Sequence, residues 1–200
     1  MESTTIWEID PAHTTVEFAV KHMMFTTVRG RFKHFTGSVH INERNPDQSR
    51  VEVTIDAASI DTGVSDRDTH LRSADFLDVE NHPKILFRST RVDGAHKKGG
   101  DRFKVAGDLE IRGKRMPVTL DATFEGLGID PWGKQRAGFA ARTEVDRREW
   151  GLRWNQALET GGVLVANTVK IEIEAQTVKQ QGDEGQTVAA GASESRRTGA

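Results

Sequence analysis

Apolar side chains fall on alternate positions in segment after segment of this chain, and nowhere do they hold a helical period for long. Val16, Phe18 and Val20 alternate with Glu17, Ala19 and Lys21. Val28, Gly30 and Phe32 share one face, as do Phe35, Gly37, Val39 and Ile41, and then Val51, Val53, Ile55 and Ala57. Lys84–Val92 reads as another such segment, followed by Phe103–Ile111, Val118–Phe124, Phe139–Val145 and Val169–Ala175. A period of two with one apolar face is the pattern of a half-buried strand. With the short start at Trp7–Asp10, and with Val28–Phe32 and Phe35–Ile41 taken as one strand, eight or nine strands arise, mostly joined by hairpin-length links. An all-β antiparallel barrel or sandwich follows.

The links carry their own signals. Asn45-Pro46-Asp47 and Arg112-Gly113-Lys114-Arg115 read as turns, and Gly126–Gly133, with Pro131 and Trp132, as a longer loop. His22, Met23, Met24 and Phe25 break the alternation and read as a loop or helical turn over one end of the fold. The apolar parity changes between Phe32 and Phe35, which a β-bulge at Lys33 and His34 would produce. From Lys179 onward the composition turns to Gln, Gly, Ala, Ser and Glu without period, so residues 179–200 are expected to form a disordered tail on a barrel of residues 1–178.

Gly30, Gly37, Ser89, Gly107, Ala122, Ala141 and Thr143 share parity with large apolar neighbours. A filled interior would carry bulk at such positions. Small residues there leave room for a ligand in a barrel of about eight strands; glycines there also suit strand bends and close backbone contacts. The pattern alone leaves both readings open.

The connection from Ser59 to Pro83 is too long for a hairpin and reads as a polar, helix-like plug. Gly63 breaks the preceding strand, Ser65 with Asp68 three residues on marks a helix start, and Leu71, Ala74 and Phe76 are expected to pack the segment down. The stretch resembles the YceI-like family of polyisoprenoid-binding, lipocalin-like barrels: Ser59-Ile60-Asp61-Thr62-Gly63, Arg67-Asp68, His70-Leu71-Arg72, Asp75-Phe76, and Pro83 followed by Phe87 and Ser89-Thr90. The likeness extends from Trp7 to Ala175 through Ile9-Asp10, His13, Phe35-Thr36-Gly37, Gly107-Asp108-Leu109, Pro117-Val118 and Asp130-Pro131-Trp132-Gly133. Asp146, Trp150, Leu152 and Glu110 stand where the family usually has Asn, Phe, Ile and Thr. The resemblance implies a lipocalin-like barrel around an apolar tunnel for an isoprenoid chain. On that footing Phe18, Val20, Phe32, Val39, Phe87, Leu109, Leu120, Phe139 and Ile171 are expected to line the tunnel, with Ala122, Ala141 and Gly107 keeping it open.

Composition narrows the function classes. A net charge of −2 gives no electrostatic case for nucleic acid as a partner, and no apolar run approaches a membrane span. With no cysteine, disulfides, thiol nucleophiles and thiolate metal sites are excluded. Met1–Trp7 lacks the basic and apolar regions of a secretory signal, so a cytoplasmic location is expected. Asp66, Asp68 and His70 form the densest candidate for a metal or acid–base site, but their spacing matches no strong ligand motif, and capping with mutual pairing of Arg67, Asp68 and His70 is the favoured reading. No Gly-x-Ser-x-Gly elbow or phosphate-cradling glycine loop is present. Two classes remain. One is a protein that binds and shields an amphiphilic isoprenoid lipid, of polyprenyl phosphate or isoprenoid quinone type, for storage, transport or a stress response. It needs no catalytic cofactor and is compatible with a homodimer; Arg112, Lys114 and Arg115 are candidates for a transient membrane-surface contact, with a plain solvated turn the favoured reading. The other is an enzyme with a His/carboxylate or metal site at the barrel mouth.

Overall fold

The computed structural model describes residues 4–95, 100–159 and 161–180. The alternating segments become β1 (Thr4–Ile9), β2 (Thr15–His22), β3 (Thr26–Phe32), β4 (Phe35–Asn42), β5 (Arg50–Asp56), β6 (Ile60–Asp61), β7 (Lys84–Asp93), β8 (Asp101–Ile111), β9 (Lys114–Ile129), β10 (Gln135–Asp146) and β11 (Val165–Lys179). Among the described residues there is a single α-helix, α1 (Ser65–Arg72), between β6 and β7.

The pairings show how these pieces make a barrel. β11 pairs with β2 through residues 165–174 and with β1 through 177–179, all antiparallel. β4 and β3 pair with β1 and β2, and β5 and β6 with β4 and β3. β1–β2, β3–β4 and β5–β6 are therefore three long strands, each bent once, and the bends lie side by side. With the continuous strands β7 to β11 they form a closed antiparallel barrel of eight strands, sealed where β11 meets β1. Closure leaves no unpaired edge around most of the circumference.

Local chemistry makes the bends. Asp10 accepts a hydrogen bond from the Ala12 N–H, and Pro11 opens a turn of 3-10 helix that interrupts the first strand. Asp56 caps Ala57–Ser59 in the same way in the third. Between them, Lys33 and His34 form a break, not the bulge expected from the parity change. The Lys33 N–H donates to the Ser59 carbonyl at 3.2 Å and the His34 N–H to Ser59 Oγ at 3.1 Å. The parity flips because a whole strand turns a corner, and its neighbours turn with it.

Other limits also shift. β2 and β3 run to His22 and from Thr26, so Met23–Phe25 form only a tight hairpin tip, with φ of 50° at Met23 and 69° at Met24. β9 continues through Gly126 to Ile129, so the expected Gly126–Gly133 loop shrinks to residues 130–134. Ser65 lies inside α1 and makes no cap; Val64 holds the cap position. Ala74 is exposed, and Leu77 is buried beside Phe76 in its place. β11 includes Lys179, one residue past the expected end of the barrel, and the rest of the expected tail beyond Gln180 lies outside the described residues.

One ion-pair network ties the first bend to β10, two strands away across β11. Arg136 of β10 donates to Asp10 at 2.6 Å and to Asp130 at 2.8 Å. That guanidinium, and after it the His13 ring, hold the Asp10 carboxyl down at about 2. A depressed folded-state value stabilises fully above the unfolded value of about 3.9, and that stability is lost as pH falls through about 2. Arg136→Gln is expected to cost of order 2 kcal/mol near neutral pH through Asp10. Urea titrations at neutral pH, pH 4 and pH 2 should show the gap between wild type and variant closing at the acid end.

Candidate functional site

The inward faces of the strands do not meet. They surround a cavity of about 780 Å³ that runs between the two ends of the barrel. This volume lies in the upper part of the range for small-molecule sites, roughly 300 to 1,000 Å³. Phe18, Val20, Phe32, Val39, Phe87, Leu109, Leu120, Ala122, Phe139, Ala141 and Ile171 all line it. Alternation brings them there, because every second residue of a barrel strand faces the lumen.

Gly107 does not. A Cβ at that position would lie 2.5 Å from the Arg88 carbonyl oxygen and 2.7 Å from the Phe87 ring, so the missing side chain lets Phe87 lie flat against the β8 backbone. Gly37 is likewise filled by the Glu52 carbonyl at 2.6 Å and Ile9 at 2.7 Å, and Gly30 by the Phe18 ring. Of the two readings of the small residues, close contact holds for these glycines. Ala122 and Ala141, paired side by side on β9 and β10, border open space.

One end of the cavity is closed. Leu71 of α1, Phe76, Leu77, Trp150 and Leu152 form its floor. Trp150 is 2% exposed and donates its indole N–H to the Leu109 carbonyl at 3.0 Å. Behind the floor, the His70 ring stands edge-on to Phe76 and Trp154, at centroid distances of 5.0 and 4.6 Å. Arg147, also 6% exposed and lining the floor, donates to the carbonyls of Leu152, Trp154, Ala166 and Val165. Among the described residues no carboxylate forms an ion pair with it, and burial pushes its pKa down. Read in sequence, Asp146–Trp150 is a charged loop; nothing local marks its first arginine as buried.

The polar cluster of the plug is engaged in holding the plug together. Asp68 is buried and accepts from the Thr62 N–H and hydroxyl. Arg67 donates to the Thr62 hydroxyl and carbonyl. Both converge on Thr62 and do not pair directly as expected, while His70 pairs with Asp75 at 2.8 Å. Asp66 is exposed. Among the described residues no three His, Asp or Glu side chains come together as a metal-ligand set. Asp68→Ala strands the Thr62 N–H and hydroxyl, and is expected to cost roughly 1 to 3 kcal/mol. Denaturant unfolding checks this, and Asp66→Ala, on the exposed side of the same helix, should cost far less.

The other end of the cavity is its mouth. Thr5, Glu43, Pro46, Gln135 and Lys179 lie on its rim, and Leu127 to Ile129 of β9 overhang it. Lys179 Nζ stands 3.6 Å from a Glu43 carboxylate oxygen and 5.7 Å from the centre of the Trp7 ring. Arg112 and Arg115, by contrast, sit at the floor end: Arg112 donates to the Phe76 carbonyl and Arg115 pairs with Glu110 at 3.0 Å. Met23–Phe25 are at that end as well, where the Met23 N–H meets the Leu164 carbonyl, and they do not line the cavity. They are no lid over it.

Known proteins share this architecture. A family model described as the YceI-like domain matches residues 7–177. A UPF0312 protein of Serratia proteamaculans is 42% identical over 140 residues, covering 70% of this chain and 71% of that one. The protein YceI of Escherichia coli O157:H7 is 41% identical over 141 residues, with 70% and 72% covered. Among solved structures, BcnA of Burkholderia cenocepacia superposes with a TM-score of 0.72 at 26% identity, over 84% of this chain and 98% of that one. A polyisoprenoid-binding domain from Saccharophagus degradans, implicated in plant cell wall breakdown, superposes with a TM-score of 0.66 at 14% identity, over 90% of this chain and all of that one.

Proposed function

The chain belongs to the YceI-like family, and on that premise we propose that its barrel binds and shields a single isoprenoid lipid. The observation that carries this reading is the cavity itself: about 780 Å³, walled by aliphatic and aromatic side chains along its length, inside a closed barrel. Each methylene moved from water into such a wall gains about 0.8 kcal/mol, so a long chain binds tightly with little polar chemistry. The relative from Saccharophagus degradans described as polyisoprenoid-binding shares the fold and lends support on that level.

The distribution of polar groups sets the direction of the ligand. At the floor, the Arg147 nitrogens all donate to carbonyls and the Trp150 N–H is taken by Leu109. At the mouth, Glu43, Gln135 and Lys179 have access to both cavity and solvent. The hydrocarbon tail therefore points to the plug and the head group to the mouth, whether that head is a phosphate or a quinone. The eleven lumen residues named from the sequence are the tail's contacts in this reading. Extraction of the purified protein with organic solvent, followed by mass spectrometry, tests it: an isoprenoid lipid supports the proposal, and an extract without one defeats it.

A further inference from the structure

We propose that the tip of the β9–β10 hairpin is a membrane-docking lip through which the barrel exchanges its ligand with a bilayer; this rests on the lipid-binding reading. Leu127, Ile129 and Trp132 are 65, 73 and 81% exposed, an unusual concentration of large apolar side chains at a hairpin tip. The way they come to be there is specific. Gly126 adopts φ +142° opposite Gly138, and the β9–β10 register slips between Gly138 and Phe139. A slip of one residue exchanges the faces of a strand. Beyond it Leu127 and Ile129 face the lumen side of a hairpin that runs on past the rim. Both line the mouth, so one apolar surface leads from solvent into the cavity.

The tip is also built to leave water cheaply. Between Leu127 and Gly133 the sole ionisable side chain is Asp130, and it is turned inward onto Arg136, with a side chain 6% exposed. The same carboxylate accepts from the N–H groups of Trp132 and Lys134, at 3.0 and 2.9 Å. The Asp130 N–H donates to the Lys134 carbonyl and the Gly133 N–H to the Asp130 carbonyl. Charge is thus withdrawn from the surface and the backbone donors of the turn are satisfied from within, which is what a segment entering an apolar phase requires. Trp132 at the outermost point has the indole that favours the membrane–water interface. Lys134, exposed beside it, is placed for lipid phosphates. A water-insoluble ligand must pass between protein and bilayer, and the lip spans that step. Met24 and Phe25 are exposed too, but they sit at the plugged end and have no path to the cavity.

The test uses the full chain and vesicles of phosphatidylcholine, with and without added phosphatidylglycerol. Wild type is expected to co-sediment with both, and its tryptophan emission to shift to the blue and be quenched by brominated acyl chains. The double variant Ile129→Ser, Trp132→Ser is expected to keep its melting temperature, because both side chains are exposed. Trp132→Ser alone, which lies outside the cavity lining, should keep the same solvent-extractable lipid; the double variant should lose at least about tenfold in partitioning, as a loss of about 1.4 kcal/mol gives, and hand its lipid to vesicles more slowly. Wild type that ignores both kinds of vesicle would overturn the proposal. So would binding that persists in the double variant and is lost in Lys114→Ser, which would place the contact at the basic turn. Self-association of wild type that the double variant abolishes, without vesicle binding, would make the lip a dimer contact and equally overturn it. The extract assays the tunnel separately: an isoprenoid-rich extract with no vesicle binding removes the lip alone.

Discussion

Replacing Ala122 with tryptophan is expected to empty the barrel of lipid without unfolding it. Ala122 lies on β9 between Phe103 of β8 and Ala141 of β10, with its methyl group toward the cavity. In a filled core an indole at this position would overpack and cost roughly 1 to 3 kcal/mol or more. Here it enters existing space, and burying an aromatic side chain is worth roughly 1.5 to 3 kcal/mol. The melting temperature should hold while extractable lipid disappears. Gly107→Ala is the matched control. It adds a single carbon, yet that carbon meets the Arg88 carbonyl at 2.5 Å and Phe87 at 2.7 Å, and a backbone oxygen in a strand cannot step aside. The small change should destabilise by roughly 1 to 3 kcal/mol and the large one should not. That inversion of size and cost is what a hollow barrel produces and a packed one does not.

Arg147→Met is expected to be the most damaging single change outside the strands. The guanidinium reaches the Leu152 carbonyl at 2.6 Å and those of Trp154 and Ala166 at 3.0 Å, holding the segment after β10 against the cavity floor. Hydrogen bonds from a charged donor contribute about 1.5 to 3 kcal/mol each, and removing the donor leaves buried carbonyls unpaired. Since such contributions do not add in full, a total loss of about 3 to 5 kcal/mol is expected, lowering the melting temperature by roughly 10 °C for a chain of this size. Arg147→Lys should not restore it, because a compact ammonium cannot reproduce the planar fork that serves carbonyls on several sides. Urea unfolding of both variants checks the ranking: each should lose more than Asp68→Ala.

The alternation of Val16, Phe18 and Val20, and of its counterparts down the chain, made the strands and the inward faces legible, because barrel geometry turns every second residue to the lumen. Features that depend on residues far apart were not legible. The bend at Lys33 and His34 looks like a local parity slip, yet it exists because two neighbouring strands break beside it under Asp10 and Asp56. Gly126, Gly128 and Pro131 read as a loop, whereas pairing with β10 carries β9 on to Ile129 and creates the lip. Ser65 and Asp68 match a capping pattern, but Asp68 finds a better partner in Thr62, and the cap is never made. Arg147 carries no signal of burial in its charged neighbourhood; only the fold surrounds it with carbonyls.

The central claim, a hollow barrel filled by an isoprenoid chain, is tested most directly by mass spectrometry of organic extracts from wild type and Ala122→Trp, both purified without detergent. Wild type is expected to yield one isoprenoid lipid in near-stoichiometric amount, and the folded variant none. Wild type without isoprenoid, or a variant that retains the same lipid as wild type, would contradict it.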